Sequence, residues 1–360
     1  MNNNLTNIRQ HIGIDIGKDT FMASIALQKS DLSVVILSTK KFDNTAKGFE
    51  KLLTWTKSFS KPDLALSFTM EATGIYYEPL AYWLFEKGLS VSVQLAKQVK
   101  HYAQSLNIKT KTDESDAKVI ATMGVERKLR AWNPFSPVLR EIKLLIREKD
   151  DLVAERTAIK NQLHACNHGH NPPTNTIDRL KKHILFINQQ LEQIQKEVKK
   201  MVDDDAVLKE KINKVCSIKG VNFMTAITIV AETNGFALVN NQRQLVSYAG
   251  YDIVQNQSGT SLNAKSKISK KGNKRIRKAL YFPSISASQH DPKHKAIYEV
   301  IHQKTTIKMK GIVAIQRRLL VLIYTIYKTD TEYDPNYAQN QKKIRQNQNI
   351  SINMVEICPA

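Results

Sequence analysis

Apolar and polar positions change rhythm three times along the chain. From His11 to Leu27 two short apolar runs flank Gly17, and Val34 to Phe42 alternates, which predicts a meander of three strands. Asn44 reads as the cap of a helix carrying Phe49, Leu52, Leu53 and Trp55. A short apolar strand (Leu64 to Met70), a helix from Tyr77 to Lys87 closed by Gly88, a strand from Leu89 to Leu95 and a helix from Asp113 to Lys128 follow. Three antiparallel strands and then helix-separated strands predict a mixed sheet with helices on its faces.

The middle of the chain loses its strand formers. Ile177, Leu180, Ile184, Ile187, Leu191, Ile194, Val198 and Met201 recur at steps of three and four, which is a heptad seam. Leu139 to Cys166 keeps a second seam through Ile142, Leu145, Leu152, Ile159 and Leu163. The break at Gly169–Pro173 predicts a hairpin tip, so the two helices are expected to form an antiparallel arm over 134–203, the kind of element that reaches another subunit or a ligand. Residues 204–334 read as a small helical domain. It contains a helix–turn–helix from Val215 to Glu232, a Gly-rich loop from Gly250 to Gly259, a basic stretch from Lys265 to Lys278 and a last apolar helix from Ile312 to Tyr327. The turn Lys219-Gly220-Val221-Asn222 is either a phosphate-gripping turn or an ordinary connection between helices. The Asn/Gln/Lys-rich tail over 335–360 is expected to be disordered.

Charge changes the picture most. The 360 residues carry 54 Lys+Arg against 33 Asp+Glu, a net +21, so a polyanion, DNA or RNA, is the expected partner. Three distant cysteines make neither a disulfide framework nor a zinc pair and fit a reducing cytoplasm. The polar first ten residues hold no signal-peptide core, and the longest apolar run is too short to cross a bilayer. No membrane partner is expected.

Four acids stand where an edge of the sheet would gather them. Asp15 lies in Gly13-Ile14-Asp15-Ile16-Gly17-Lys18, which fails as a P-loop but suits the first strand of a ribonuclease-H-like sheet. Glu71 ends an apolar strand, and Asp113 and Asp116, three residues apart at a helix start, share a face. Capping by Asp113 is the ordinary reading of that residue. Four converging carboxylates need cations between them, and a pair of magnesium ions suits such an oxygen site and serves phosphoryl transfer. Eight cations, Lys265, Lys267, Lys270, Lys271, Lys274, Arg275, Arg277 and Lys278, crowd around Asn273 and read as a phosphate-binding surface. His164, Cys166, His168 and His170 have a metal-like spacing but no second cluster to complete a site, and Asp203 to Asp205 reads as a helix boundary.

The motifs GIDIGKD, MEATGIYYEPL and KTDESDA together resemble the DEDD signature of the Piv/MooV-type insertion-sequence transposases. LVSYAG, QSG and GNKRIRKAL resemble that family's serine loop and basic element, and the resemblance runs from about residue 11 to 328. It implies a RuvC-like α/β domain over 1–133, followed by the arm and an all-α transposase domain. It implies that Asp15, Glu71, Asp113 and Asp116 bind the metal and that Ser258 is the nucleophile, with Ser261 and Tyr251 as rivals. It further implies a covalent phosphoserine intermediate, DNA as substrate (element ends and target), a non-coding bridge RNA as guide, and a homo-dimer or homo-tetramer joined through the arm, with the acids of one subunit serving the serine of another. Asn222 departs from the family's GxG turn, and the proline that follows Tyr-Ala-Gly in the family is missing. No His neighbours Ser258, so metal activation is the expected route for its hydroxyl. A Holliday-junction-type nuclease shares the acids, a DNA invertase would need no guide RNA, a sugar-kinase-like ATPase would need a second phosphate loop that the chain lacks, and a non-catalytic binding protein would have lost an acid.

Overall fold

The computed structural model describes residues 7–336 apart from 73, 259–261 and 306, and not the side chains of 7 and 256–266. The chain divides into two compact units, 1–134 and 135–360. Most of the tail predicted to be disordered, together with Cys358, lies outside the described residues.

In the first unit, β1 (Asn7–Ile16), β2 (Thr20–Lys29) and β3 (Val34–Asp43) form an antiparallel meander. It is followed by α1 (Ala46–Phe59), β4 (Ser67–Glu71), α2 (Glu78–Glu86), β5 (Ser90–Gln94), α3 (Ala96–Ser105) and α4 (Asp113–Glu126). The sheet order is β3-β2-β1-β4-β5, with β4 parallel to both β1 and β5. This is the ribonuclease-H/RuvC-like arrangement expected from the sequence.

Strand alternation sorts β1 into two faces. Ile12, Ile14 and Ile16 join Phe49, Leu52, Leu80 and Leu84 in one core. His11, Gly13 and Asp15 point the other way, where α4 lies directly on the strand: a Cβ at Gly13 would overlap the Ala121 amide, and one at Gly124 would overlap the His11 ring. Two local expectations are corrected. Thr45, not Asn44, caps α1, because the Asn44 amide instead donates to Gly17 O and Tyr76 O, both at 3.1 Å. Thr112, not Asp113, caps α4, since Thr112 and Ser115 exchange side-chain and backbone bonds at 2.9 and 3.1 Å. Asp113 is therefore the first helical residue, with a carboxylate that capping does not use.

In the second unit, α5 (Pro137–His168) and α6 (Thr174–Asp204) pair as the predicted arm. Ile159, Ile187 and Leu191 form a small cluster of their own, whereas Ile142, Ile146, Ile194, Val198 and Val202 join the main core at the base. That core also takes in α7 (Ala206–Cys216), α8 (Phe223–Glu232) and α9 (Gln242–Ala249). Residues 250–268 are expected from the sequence to be a loop and a basic stretch. The structure instead holds a two-stranded antiparallel ribbon there, β6 (Ile253–Ser258) and β7 (Leu262–Ile268). Its sequence is mostly polar on both faces, so no apolar alternation marks it. The unit ends with α10 (Lys274–Ala279), α11 (Tyr281–His290), α12 (Pro292–Lys304) and α13 (Lys308–Thr329). The turn before α8 is an ordinary one: Asn222 Oδ1 takes the Thr225 N–H at 2.8 Å, occupying a donor that a phosphate would need.

Candidate active site

The register of the sheet gathers the four acids. Ile14 pairs with Met70 in the parallel ladder, so Asp15 and Glu71 follow side by side at the strand ends. Helix α4 runs back along β1, with Gly124 at His11 and Ala121 and Ala117 at Gly13, so its first turn carries Asp116 and Asp113 to the level of Asp15. The electrostatics agree with this placement. Burial first, and then the charges of Asp116, Glu71 and Asp113, push the Asp15 carboxyl up to about 6 against a weaker pull from Lys111. Burial likewise raises Asp116, with Asp113 adding to it and Lys111 opposing it. Hard carboxylate oxygens that repel one another are a donor set suited to a divalent cation. Among the described residues, no three His, Cys, Asp or Glu side chains close into a coordination group, so the acids face one another without forming a finished shell.

His11 anchors this arrangement from four residues upstream. It is 5% exposed; its Nε2 lies 2.7 Å from Thr69 Oγ1 and its Nδ1 2.6 Å from Ser67 Oγ. These bonds clamp β1 to β4 on the face that carries Asp15 and Glu71. Burial, with Arg9 adding to it, drives the imidazole down to about 3, so it is neutral at physiological pH.

In the second unit, Ser258 is the last residue of β6, and its side chain and all of Ser261 lie outside the description. Tyr251 is 1% exposed, donates to Gln316 Oε1 at 3.2 Å and has its phenol pushed up by burial, which makes it a core residue and no surface nucleophile. The basic stretch is divided in its duties. Arg277 donates to Ala249 O at 2.7 Å, and Lys278 pairs with Asp150 at 2.7 Å, with Arg275 3.7 Å from the same carboxylate. Asn273 caps α10 and donates to Glu232 at 2.8 Å. Lys267, Lys270, Lys271 and Lys274 are exposed, and Lys265 lies among the undescribed side chains.

Comparison with known proteins decides the family. A transposase model of the IS110 DEDD type matches residues 12–172, and a model described as "Transposase IS116/IS110/IS902 family" matches 212–299. Together they cover more than half of the chain. The chain belongs to the IS110 transposase family. Pilin gene-inverting proteins of Moraxella bovis and Moraxella lacunata are each 27% identical to the transposase over 327 residues, covering 91% of this chain and 98% of theirs. Among solved structures, Thermus thermophilus RuvC bound to a Holliday junction matches 34% of this chain and 99% of its own at 13% identity and a TM-score of 0.26. An Aquifex aeolicus Ppx/GppA protein matches 94% and 98% at 9% identity and a TM-score of 0.22.

The transposase also holds a residue that the sequence reading passed over. Glu232, 1% exposed, accepts from Arg147 through both carboxylate oxygens at 3.0 and 3.1 Å and from Asn273, and its carbonyl accepts from Tyr248 at 2.9 Å. Burial would raise its pKa, but these donors outweigh it and hold the carboxyl low. The available signal was an acid closing an otherwise apolar helix. The His164 and His168 rings lie 4.4 Å apart, tilted by 48°, near the arm tip, with no third ligand among the described residues. Asp205 caps α7 and Asp203 pairs with Lys209, as a helix boundary would.

Proposed function

We propose that this transposase cuts and rejoins DNA strands through Ser258, with two magnesium ions held by Asp15, Glu71, Asp113 and Asp116. The single observation that carries the metal assignment is the convergence of Asp15 and Glu71 at adjacent strand ends with the first turn of α4, an arrangement that burial and mutual repulsion make costly and that a bound cation would relieve. When bound, the ions supply the positive charge that activates an attacking hydroxyl and steadies a departing one. The serine Oγ forms a new phosphoester bond as the phosphorus–oxygen bond to a DNA hydroxyl breaks. The serine proton passes through solvent to that departing oxygen. The number of phosphoester bonds is unchanged, so the reverse step can join a new strand without ATP. His11 keeps the two acid-bearing strands in register and takes no part in the proton traffic, being neutral and enclosed. Lys267, Lys270, Lys271 and Lys274 bind backbone phosphates, and a bridge RNA selects the sites. Leu185 and Phe186, 59% and 56% exposed on α6, support pairing of subunits through the arm. The protein works in the cytoplasm on nucleoid DNA.

The test uses labelled element-end DNA with magnesium and the flanking transcript. Wild type forms a protein–DNA adduct; Ser258→Ala and Asp15→Asn form none. An adduct in Ser258→Ala would move the nucleophile to Ser261, and cleavage without any adduct would turn the reading toward a junction nuclease. The Moraxella relatives, named for inverting a gene, support a second reading: inversion without a guide, which predicts full activity when the transcript is omitted.

A further inference from the structure

The second unit contains a groove of about 1140 Å³, of whose lining the proposed function uses only Lys267 and Lys270. Its walls are α12, α13 and the inner ends of β6 and β7. Two chemistries meet in it. Ile253, Ile307 and Met309 lie on its lining at 59%, 54% and 48% exposure, unusual for large apolar side chains. Lys267, Lys293, Lys310 and Arg317 stand around them, all exposed, and outnumber the two carboxylates of the lining, Glu332 and Asp334.

We propose that this groove holds an unpaired strand of DNA, its phosphates on the cations and its bases on the apolar lining. Charge sets the sign of the occupant, and the apolar residues set its kind. A duplex offers phosphates outside and keeps its base faces stacked inside, so it leaves Ile253, Ile307 and Met309 in water. A single strand brings both groups to the same surface. The chain's own last segment, 337–360, carries Lys342, Lys343 and Arg345 against Glu356 and shares the sign of the groove, which disfavours it as occupant. The ribbon gives the groove its place in the reaction, a point that rests on the reading of Ser258 as nucleophile. Ile253 begins the strand that Ser258 ends, about 17 Å away at the usual rise per residue. A strand released at the serine therefore reaches the groove within a few nucleotides and is kept from re-pairing until it is joined.

Binding is measured in EDTA, where no cutting occurs, so the result is independent of the serine chemistry. Fluorescence anisotropy follows a labelled single strand and the same sequence as a duplex on the full-length protein. The double variant Lys310→Glu/Arg317→Glu is expected to weaken single-strand binding by about tenfold and to lower its salt slope by about 1.4, with duplex affinity changed by less than about twofold. Met309→Ser is expected to cost about threefold on the single strand alone. Melting curves check that each variant is folded. In the wild type, a 4-thiothymidine strand is expected to crosslink to the peptide containing Ile307 and Met309. Equal losses on single strand and duplex, crosslinks confined to other peptides, or displacement of the strand by a synthetic 337–360 peptide would each overturn the proposal.

Discussion

The two charged clusters of this transposase are opposites in more than sign. The four acids of the first unit are held together against their own repulsion, which adds to burial in raising the Asp15 carboxyl. The basic stretch of the second unit is the denser of the two in sequence, with eight cations between Lys265 and Lys278, yet its charges have been distributed. Lys278 pairs with Asp150, Arg277 holds the end of α9, and Asn273 closes α10 and completes the shell of Glu232. Crowding along the chain is therefore a poor guide to function unless the fold leaves it uncompensated. Carboxylates that the fold presses together more strongly than the nearby Lys111 offsets at Asp15 point to an ion that belongs there. Cations that the fold has already paired point first to architecture.

Asp15→Asn should separate the two clusters most strongly. Strand cleavage should fall on the order of 10³-fold, ~4 kcal/mol of barrier, while the metal-free protein melts at a higher temperature because a repelled charge is gone. A variant that lost activity and stability together would make Asp15 an ordinary structural acid. Glu232→Gln tests the other cluster. It weakens the bonds of a buried carboxylate to an arginine that is itself 39% exposed, so a loss of about 2 kcal/mol is expected in denaturant melts. Asn273→Ala should share that loss without adding its full cost on top, because the two residues belong to one network.

Acidity separates the two groups on the inner face of β1. His11 has a folded pKa below its unfolded one, so the stability it confers is complete above about 6.5 and is lost as pH falls toward about 3. Asp15 has a folded pKa above its unfolded one, so between about 6 and its ordinary value near 4 acidification favours the folded state. The two slopes oppose each other over most of that window. Metal-free wild type should therefore be nearly flat there in melts of the first unit. Asp15→Asn should expose the acid-sensitive slope of His11, and His11→Gln should expose the opposite one. Parallel curves for all three proteins would refute both assignments. The smallest effect distinguishes free from engaged cations. Lys271→Ala should lower the salt slope of duplex binding by about 0.9 with no change in melting, whereas Arg277→Ala should cost about 1 kcal/mol of stability.

How much of this was legible before folding follows from the range of the interactions. The sheet and the arm were, because Ile12 to Ile16 and Ile184 to Val198 repeat at the periods that one strand face and one helix seam require. The four acids were legible as candidates, since each sits at the end of an element that a local pattern predicts. The Asn44 assignment failed because either of two adjacent residues can cap α1, and the distant carbonyls of Gly17 and Tyr76 take the Asn44 amide. The β6–β7 ribbon was hidden because no face of it is apolar. Glu232 was hidden because its partners come from 85 and 41 residues away.

At Gly13 the fold depends on a missing side chain. With no side chain there, the helix backbone rests on the strand backbone, and nothing compressible lies between them. A single methyl added at that position would lift the whole lever and move two of the four acids away from the third. A screen that scans only polar positions would never find this lesion, and an alanine scan, which usually removes atoms, would find it only because here it adds one.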